Sequence, residues 1–298
     1  MNREPVPVPM LTSLLVESIK AENDAAGRRP KAFDTFTRHS AAGKCTRQIQ
    51  LGHLDYPETN PMDLAGHWVT WVGRMVHEAF QEALLNHYPE AQVEYKVRIG
   101  DLSSGHLDAY LVIELDHVTI CYELKTRGSY GFDRATGLMR KGWNMKNPEG
   151  PNIADIAQGS LNALASGADV LIIGIIGLES ISKGYADKFG LDDLRRIMAE
   201  WHYSRSEWEP IAVAEVARLE EIRAWTERET LAPRWGLDDH GYQVVLNPAK
   251  GEFPCSYCAY KDLCEWVGEG PVPLPIPGMR QWMNNDLAGL LEESVNAL

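Results

Sequence analysis

Residues 105–125 read GHLDAYLVIELDHVTICYELK, and the fold class turns on this stretch. Gly105 to Leu115 and Val118 to Lys125 alternate or run apolar at the two-residue period of strands. Asp116-His117 lies between them as a candidate turn, although Asp-His is not among the favoured two-residue hairpin turns. With that turn, Leu115 sits opposite Val118, and Asp108 falls opposite Lys125 and diagonal to Glu123. Glu123 and Lys125, two apart, leave the strand on one face, while Leu124 points into the core. Opposed residues share a face, so Asp108, Glu123 and Lys125 are expected to converge. A register shifted by one would scatter them.

Two carboxylates and an amine at this spacing suit phosphodiester hydrolysis. The carboxylates hold Mg²⁺ or Mn²⁺, and the lysine orients a water or offsets charge building on the phosphate. The plain alternative is an exposed Glu/Lys pair on a solvated strand, with Asp108 an unrelated acid. Upstream, Gly66 to His87 carries apolar residues at helical spacing and places His77 one turn after Gly73, so a small residue clears space beside a candidate imidazole ligand. A core or helix-end histidine is the ordinary reading of such a lone His. His106 is expected to face away from Asp108. Gln158, on the polar side of a later helix, is within reach of a substrate or an attacking water, or is simply a surface glutamine.

Working outward, Gln92 to Ile99 is a further strand. Arg127 to Gly150 reads as a polar, Gly-rich loop, Ile153 to Ala165 as a helix and Val170 to Leu178 as a buried strand. Leu191 to Trp201 and Ile211 to Thr230 read as helices. At the N-terminal side, 11–47 reads as a helix followed by a basic loop. Pro271, Pro273, Pro275 and Pro277 make a stiff connector to an amphipathic tail, Met279 to Leu298. Strands, a helix and a further strand in this order give a mixed α/β core.

The chain has 298 residues, 44% hydrophobic and 24% charged, enough for a sizeable core. Its formal charge of −13, from 29 basic and 42 acidic side chains, argues against coating nucleic acid by charge alone. It leaves room for a local grip. Lys125, Arg127, Arg134, Arg140, Lys141 and Lys146 face a single acid, Asp133, with Tyr130, Phe132 and Trp143 interleaved. Cations that track phosphates and rings that stack bases are what a single-strand channel needs, although such runs are usually solvated loops. No apolar run is long enough to span a bilayer and no export signal is evident, so a cytoplasmic location is the default expectation.

Five cysteines occur. Cys255-x2-Cys258-x5-Cys264 reads as a metal-binding loop rather than a disulfide set, with Cys45 far upstream. Spacing alone fits zinc as well as iron; the long reach from Cys45 to Cys255 is uncommon in compact zinc fingers. Cys121, inside the candidate catalytic strand, reads as a small buried apolar residue.

Taken in order, Gly73-x3-His77, Gly105-x2-Asp108, Glu123-x-Lys125 and Gln158 resemble the motifs of RecB-like nucleases of the PD-(D/E)XK superfamily. One upstream cysteine with Cys-x2-Cys-x5-Cys downstream resembles the iron–sulfur branch of that family, which includes CRISPR-associated RecB-like exonucleases, their phage relatives and the AddB nuclease domain. The likeness spans about Cys45 to Cys264. It implies a restriction-endonuclease-like core with an iron–sulfur cluster joining N- and C-terminal segments, a nuclease domain over 1–270, and a connector and tail over 271–298. It implies His77, Asp108, Glu123 and the carbonyl of Leu124 as metal ligands, and Lys125 as the catalytic lysine. Cys45, Cys255, Cys258 and Cys264 become ligands of a [4Fe–4S] cluster, and Arg47 a support for the local fold or for DNA. The family usually has a tyrosine four residues after the glutamine, where this chain has Asn162. The implied activity is that of a DNA exonuclease on single-stranded or end-containing DNA. The absence of a Walker phosphate loop leaves no recognisable helicase motor. A homo-oligomer and a recombination or CRISPR protein partner are both open. A non-catalytic processing factor in spacer acquisition, or a sequence-specific endonuclease, are the rival readings.

Overall fold

The period-two pattern builds a sheet. In the computed structural model, which describes residues 18–19, 21, 34–113, 118–137, 148–179, 184, 187, 197–237, 243–246 and 254–279, six strands form one mixed sheet. They are β1 (Thr37–Arg38), β2 (Gln92–Ile99), β3 (Ser103–Ile113), β4 (Val118–Arg127), β5 (Val170–Gly177) and β6 (Met198–Ser204). β2, β3 and β4 form an antiparallel meander, β5 runs parallel to β4, and β6 closes the far edge antiparallel to β5. The parallel pair needs a crossover, and the helix Ile153–Ser166 supplies it.

Helices cover both faces. Among the described residues they are α1 (Thr46–His53), α2 (Leu64–His87), α3 (Ser129–Thr136), α4 (Ile153–Ser166), α5 (Arg205–Glu227) and α6 (Lys261–Val267). On one face, Leu107, Cys121, Leu171, Ile173 and Ile175 pack with Phe132 of α3, Ala163 of α4 and Trp208 of α5. On the other, Phe80 and Leu84 of α2 pack on Tyr122, Leu124 and Ile172. Cys121 is fully buried in the first of these cores, in keeping with the apolar role read for it.

The β3–β4 register differs from the expected one. Ile113, not Leu115, pairs with Val118, so four residues intervene instead of two. Asp-His cannot readily supply the positive φ angles that a two-residue turn demands, and a longer connection removes the need. The shift is two residues, the pairing ends at Ala109 and Tyr122, and Asp108 lies just beyond the last pair instead of opposite Lys125.

Other expectations give way to tertiary packing. Residues 198–201, read as the end of a helix, belong to β6, because Met198 to Ser204 pairs along the whole open edge of β5. The loop expected from Arg127 contains α3, held by Phe132 in the core and ended at Gly137 in the left-handed region (φ 67°). Helix α5 starts well before Ile211, at a capping box of Ser204 and Glu207, and runs through Pro210. The proline-rich segment is no free connector: Thr230–Leu231 (β7) pairs with Val272–Pro273 (β8), and Ile276 is buried. The segment 11–33, apart from residues 18, 19 and 21, and the tail beyond Met279 lie outside the described residues.

The C-terminal segment folds back on α1. Leu51 packs with Leu231, Tyr260, Leu263 and Ile276, and Gln50 both donates to the Thr230 carbonyl and accepts from the Ala232 amide, at 2.7 and 2.6 Å. Among the described residues no helix is long and apolar enough to cross a membrane.

Candidate active site

The site lies where strand pairing stops. Along one edge of β3, β1 pairs with Ser103 and Ser104, and β4 pairs with Ala109 to Ile113. Gly105 to Asp108 fall in the gap between them. There the Asp108 carboxylate takes over from the ladder: its Oδ2 accepts the Leu124 backbone N–H at 2.7 Å, and its Oδ1 lies 3.0 Å from His77 Nδ1. α2 brings His77 over the gap because the helix comes down closely on β4. A Cβ on Gly73 would stand 3.1 Å from Thr126 Oγ1, so this glycine clears the strand rather than the imidazole. Gln81, one turn after His77, donates to the Asp108 carbonyl at 3.4 Å and to Glu94 at 3.1 Å. Glu94 itself holds a left-handed backbone, φ 50°, which an L residue adopts only against strain.

Glu123 and Lys125 project toward α4. Lys125 Nζ donates to Glu123 Oε1 at 2.6 Å and to Gln158 Oε1 at 3.0 Å, while the Gln158 amide nitrogen also donates to Glu123 Oε1. Asn162, one turn further along α4, donates to Glu123 Oε2 at 2.8 Å. Burial pushes the Glu123 carboxyl up to about 7; the Lys125 ammonium opposes the rise and the Asp108 charge adds to it. Burial draws His77 down, but its hydrogen bond to Asp108 and that residue's charge outweigh it, leaving the imidazole above its ordinary value. Burial also works against the Lys125 charge, and Glu123, Asp155 and Asp108 more than offset it.

A cleft of about 1150 Å³ opens beside this cluster, bordered by His77 and Gln158 and by Arg38, Arg74, Lys96 and Arg127. His106, which the sequence reading turned away from Asp108, borders the same cleft. Residues two apart on a strand share a face. Arg127 pairs with Asp155 and reaches the Thr126 carbonyl, and Tyr130 is largely exposed. Phe132, expected among the base-stacking rings, is instead fully buried. Arg140, Lys141 and Trp143 lie outside the described residues.

The four cysteines Cys45, Cys255, Cys258 and Cys264 line one pocket, with Arg47 and Arg234. Cys45 holds the N-cap position of α1, Cys255 opens a single 3-10 turn that Cys258 follows, and Cys264 sits within α6. Burial first, then the neighbouring sulfurs, push the Cys255 and Cys258 thiols up to about 11. A thiolate set here calls for a positive centre among the sulfurs. Arg47 is not positioned for DNA. It is 1% exposed and spends its guanidinium on the carbonyls of Ala232, Gly268, Glu269 and Gly270, with Nη1 3.6 Å from Cys264 Sγ. Long-range packing of the C-terminal segment buries it, which no local pattern signals.

Among the described residues, no three or more His, Cys, Asp or Glu side chains stand as a ready-made metal-holding group. By donor chemistry both sets still fit: carboxylates with an imidazole suit a hard divalent cation, and four thiols around one pocket suit an iron–sulfur cluster.

Two buried residues were not recognised as parts of the site. Asn162 stood out only as a departure from a family pattern, and His39 carried no signal at all; the two are 2.7 Å apart, Asn162 Oδ1 to His39 Nδ1.

No protein-family model matches the chain, and no curated protein matches it. Among solved structures the chain is similar to that titled "Crystal structure of SSO0001", with 17% identity over 86% of this chain and 96% of that one, at a TM-score of 0.48.

Proposed function

We propose that this chain is a metal-dependent deoxyribonuclease with the restriction-endonuclease-like core of the RecB-like group, acting as an exonuclease on single-stranded or end-containing DNA. The observation that supports this reading best is the meeting of Asp108, Glu123, Lys125 and Gln158 where β3 and β4 part, beside a cleft bordered by four cationic side chains. A solvated Glu/Lys pair does not account for it, since Glu123 is 2% exposed and both its oxygens are engaged. Burying a carboxylate this thoroughly is costly unless cations answer it.

Asp108, Glu123, His77 and the Leu124 carbonyl are the groups that would hold Mg²⁺ or Mn²⁺. When bound, such a cation supplies Lewis acidity at a phosphate oxygen and eases deprotonation of a water nucleophile. Asp108 is fixed for this by the Leu124 N–H, and His77 by Asp108. Lys125 places its ammonium, steered by Gln158, to offset charge that builds on the phosphate. Arg127 and Tyr130, at the start of the segment that continues to Arg140, Lys141 and Trp143, would guide the strand. Cys45, Cys255, Cys258 and Cys264 would hold a [4Fe–4S] cluster that ties α1 to the C-terminal segment.

The test compares end-labelled linear DNA with closed circular DNA, in Mg²⁺ and in Mn²⁺. Linear DNA should be shortened and the circle spared, and Lys125→Met should cut about 100-fold more slowly, the usual effect of losing one transition-state donor. Cleavage by Lys125→Met at the wild-type rate would remove the catalytic reading. DNA binding without cleavage in either metal would favour a processing factor instead.

A further inference from the structure

We infer that His39 and Asn162 form a positioning relay that fixes the Glu123 carboxylate for the cation, an inference that rests on the nuclease reading above. α4 grips Glu123 by both oxygens. Gln158 holds Oε1 and Asn162, four residues on and therefore on the same helix face, holds Oε2. A second layer then fixes Asn162. The Asn162 amide turns its NH₂ group toward Glu123 Oε2 and its carbonyl oxygen toward His39 Nδ1, and an amide oxygen can only accept. That carbonyl needs a donor, and the Nδ1–H of a neutral His39 supplies it at 2.7 Å. The histidine tautomer thus follows from the Asn162 carbonyl, and the amide links the ring to Glu123.

Three features set this apart from ordinary core packing. His39 and Asn162 are both 0% exposed, so no bulk water replaces a lost bond. The backbone has been cleared for the pair: a Cβ on Gly105 would stand 2.7 Å from both Asn162 Oδ1 and His39 Nδ1. The glycine of the Gly105-x2-Asp108 motif therefore makes room for the relay. His39 is also placed by the sheet, since it follows β1 directly, and β1 pairs in parallel with Ser103 and Ser104 just before Gly105. One short stretch of β3 thus sets the two metal-site carboxylates: Asp108 directly, and Glu123 through Gly105, His39 and Asn162.

The test is Mn²⁺ binding to the full-length chain, read by EPR of free Mn²⁺, with thermal melts of each variant without Mn²⁺. His39→Phe keeps a ring but removes the donor, and Asn162→Ala removes the link. Each should weaken Mn²⁺ binding about 10-fold or more, in the range seen when residues that orient metal ligands are lost. Because both lie on one path, the double variant should be little weaker than either single variant. His39→Asn, whose amide NH₂ can stand where Nδ1–H stood, should recover binding to within about threefold of wild type, on that same scale. A merely structural pair would lower melting temperatures and leave Mn²⁺ affinity unchanged, and that result in either single variant overturns the relay. Failure of His39→Asn to recover binding also overturns it. Wild-type chain that takes up no Mn²⁺, or whose uptake is unaffected by Glu123→Gln, would instead bring down the metal-site reading along with the relay.

Discussion

Replacing Arg47 with alanine removes five contacts at once. Its guanidinium donates to the carbonyls of Ala232, Gly268, Glu269 and Gly270 at 3.0, 2.6, 3.3 and 2.8 Å, and Nη1 lies 3.6 Å from Cys264 Sγ. A hydrogen bond contributes about 1 kcal/mol net, and more where the acceptor stays buried and unanswered. Water entering the gap returns part of this, since several of the carbonyls are only partly buried. The loss should be about 3–5 kcal/mol. In a chain of this size each kcal/mol moves the melting temperature by roughly 2–4 °C, so Arg47→Ala should melt on the order of 10 °C lower. Arg47→Lys keeps the charge but has no planar fork to serve four carbonyls, and should recover less than half of the loss. Calorimetric melts measure the shift, and anisotropy of a labelled single strand measures DNA binding in parallel. A melting temperature within about 2 °C of wild type, together with weakened DNA binding, would refute the argument and return Arg47 to the nucleic acid.

Two further outcomes follow from close contacts and from the thiol pocket. A Cβ on Gly174 would fall 2.1 Å from the Tyr122 hydroxyl and 2.8 Å from its ring, so Gly174→Ala must displace the ring and break its 2.7 Å hydrogen bond to Glu200. Denaturant titration should show a loss of about 1–3 kcal/mol, smaller in a Tyr122→Phe background because the nearest clashing atom is gone; equal losses in both backgrounds would show the contact to be irrelevant. Anaerobically purified protein should be brown with about four irons per chain, and Cys258→Ser should lose most of that iron and absorbance. Stoichiometric zinc without iron in the wild type would replace the cluster with a mononuclear site.

Much of the sheet was legible from local period. Strand β2 falls on the expected residues, β4 and β5 on nearly the same ones, and α2 and α4 begin and end within about a turn of their apolar patterns. β6 was not legible, because seven residues with two tryptophan or tyrosine rings fit either period until β5 offers an edge to pair with. Neither was α3, a two-turn helix whose stability comes from burying Phe132 rather than from its own residues. The glutamate–lysine pair could be read as sharing a face, and Gln158 as a candidate, but what Gln158 touches could not.

Sequence by itself determined which residues alternate, and hence that Glu123 and Lys125 leave one side of a strand with a leucine behind them. It also determined that four cysteines and a run of acids, amides and one amine were present to be assembled. Only the tertiary structure decided that Asp108 takes the Leu124 N–H beside His77, that the four thiols share a pocket, that Arg47 is buried, and that His39 reaches Asn162. Local period depends on neighbours a few residues away. Register, burial and these hydrogen bonds depend on partners up to more than two hundred residues off, such as Arg47 and Gly270, which meet only when the chain closes.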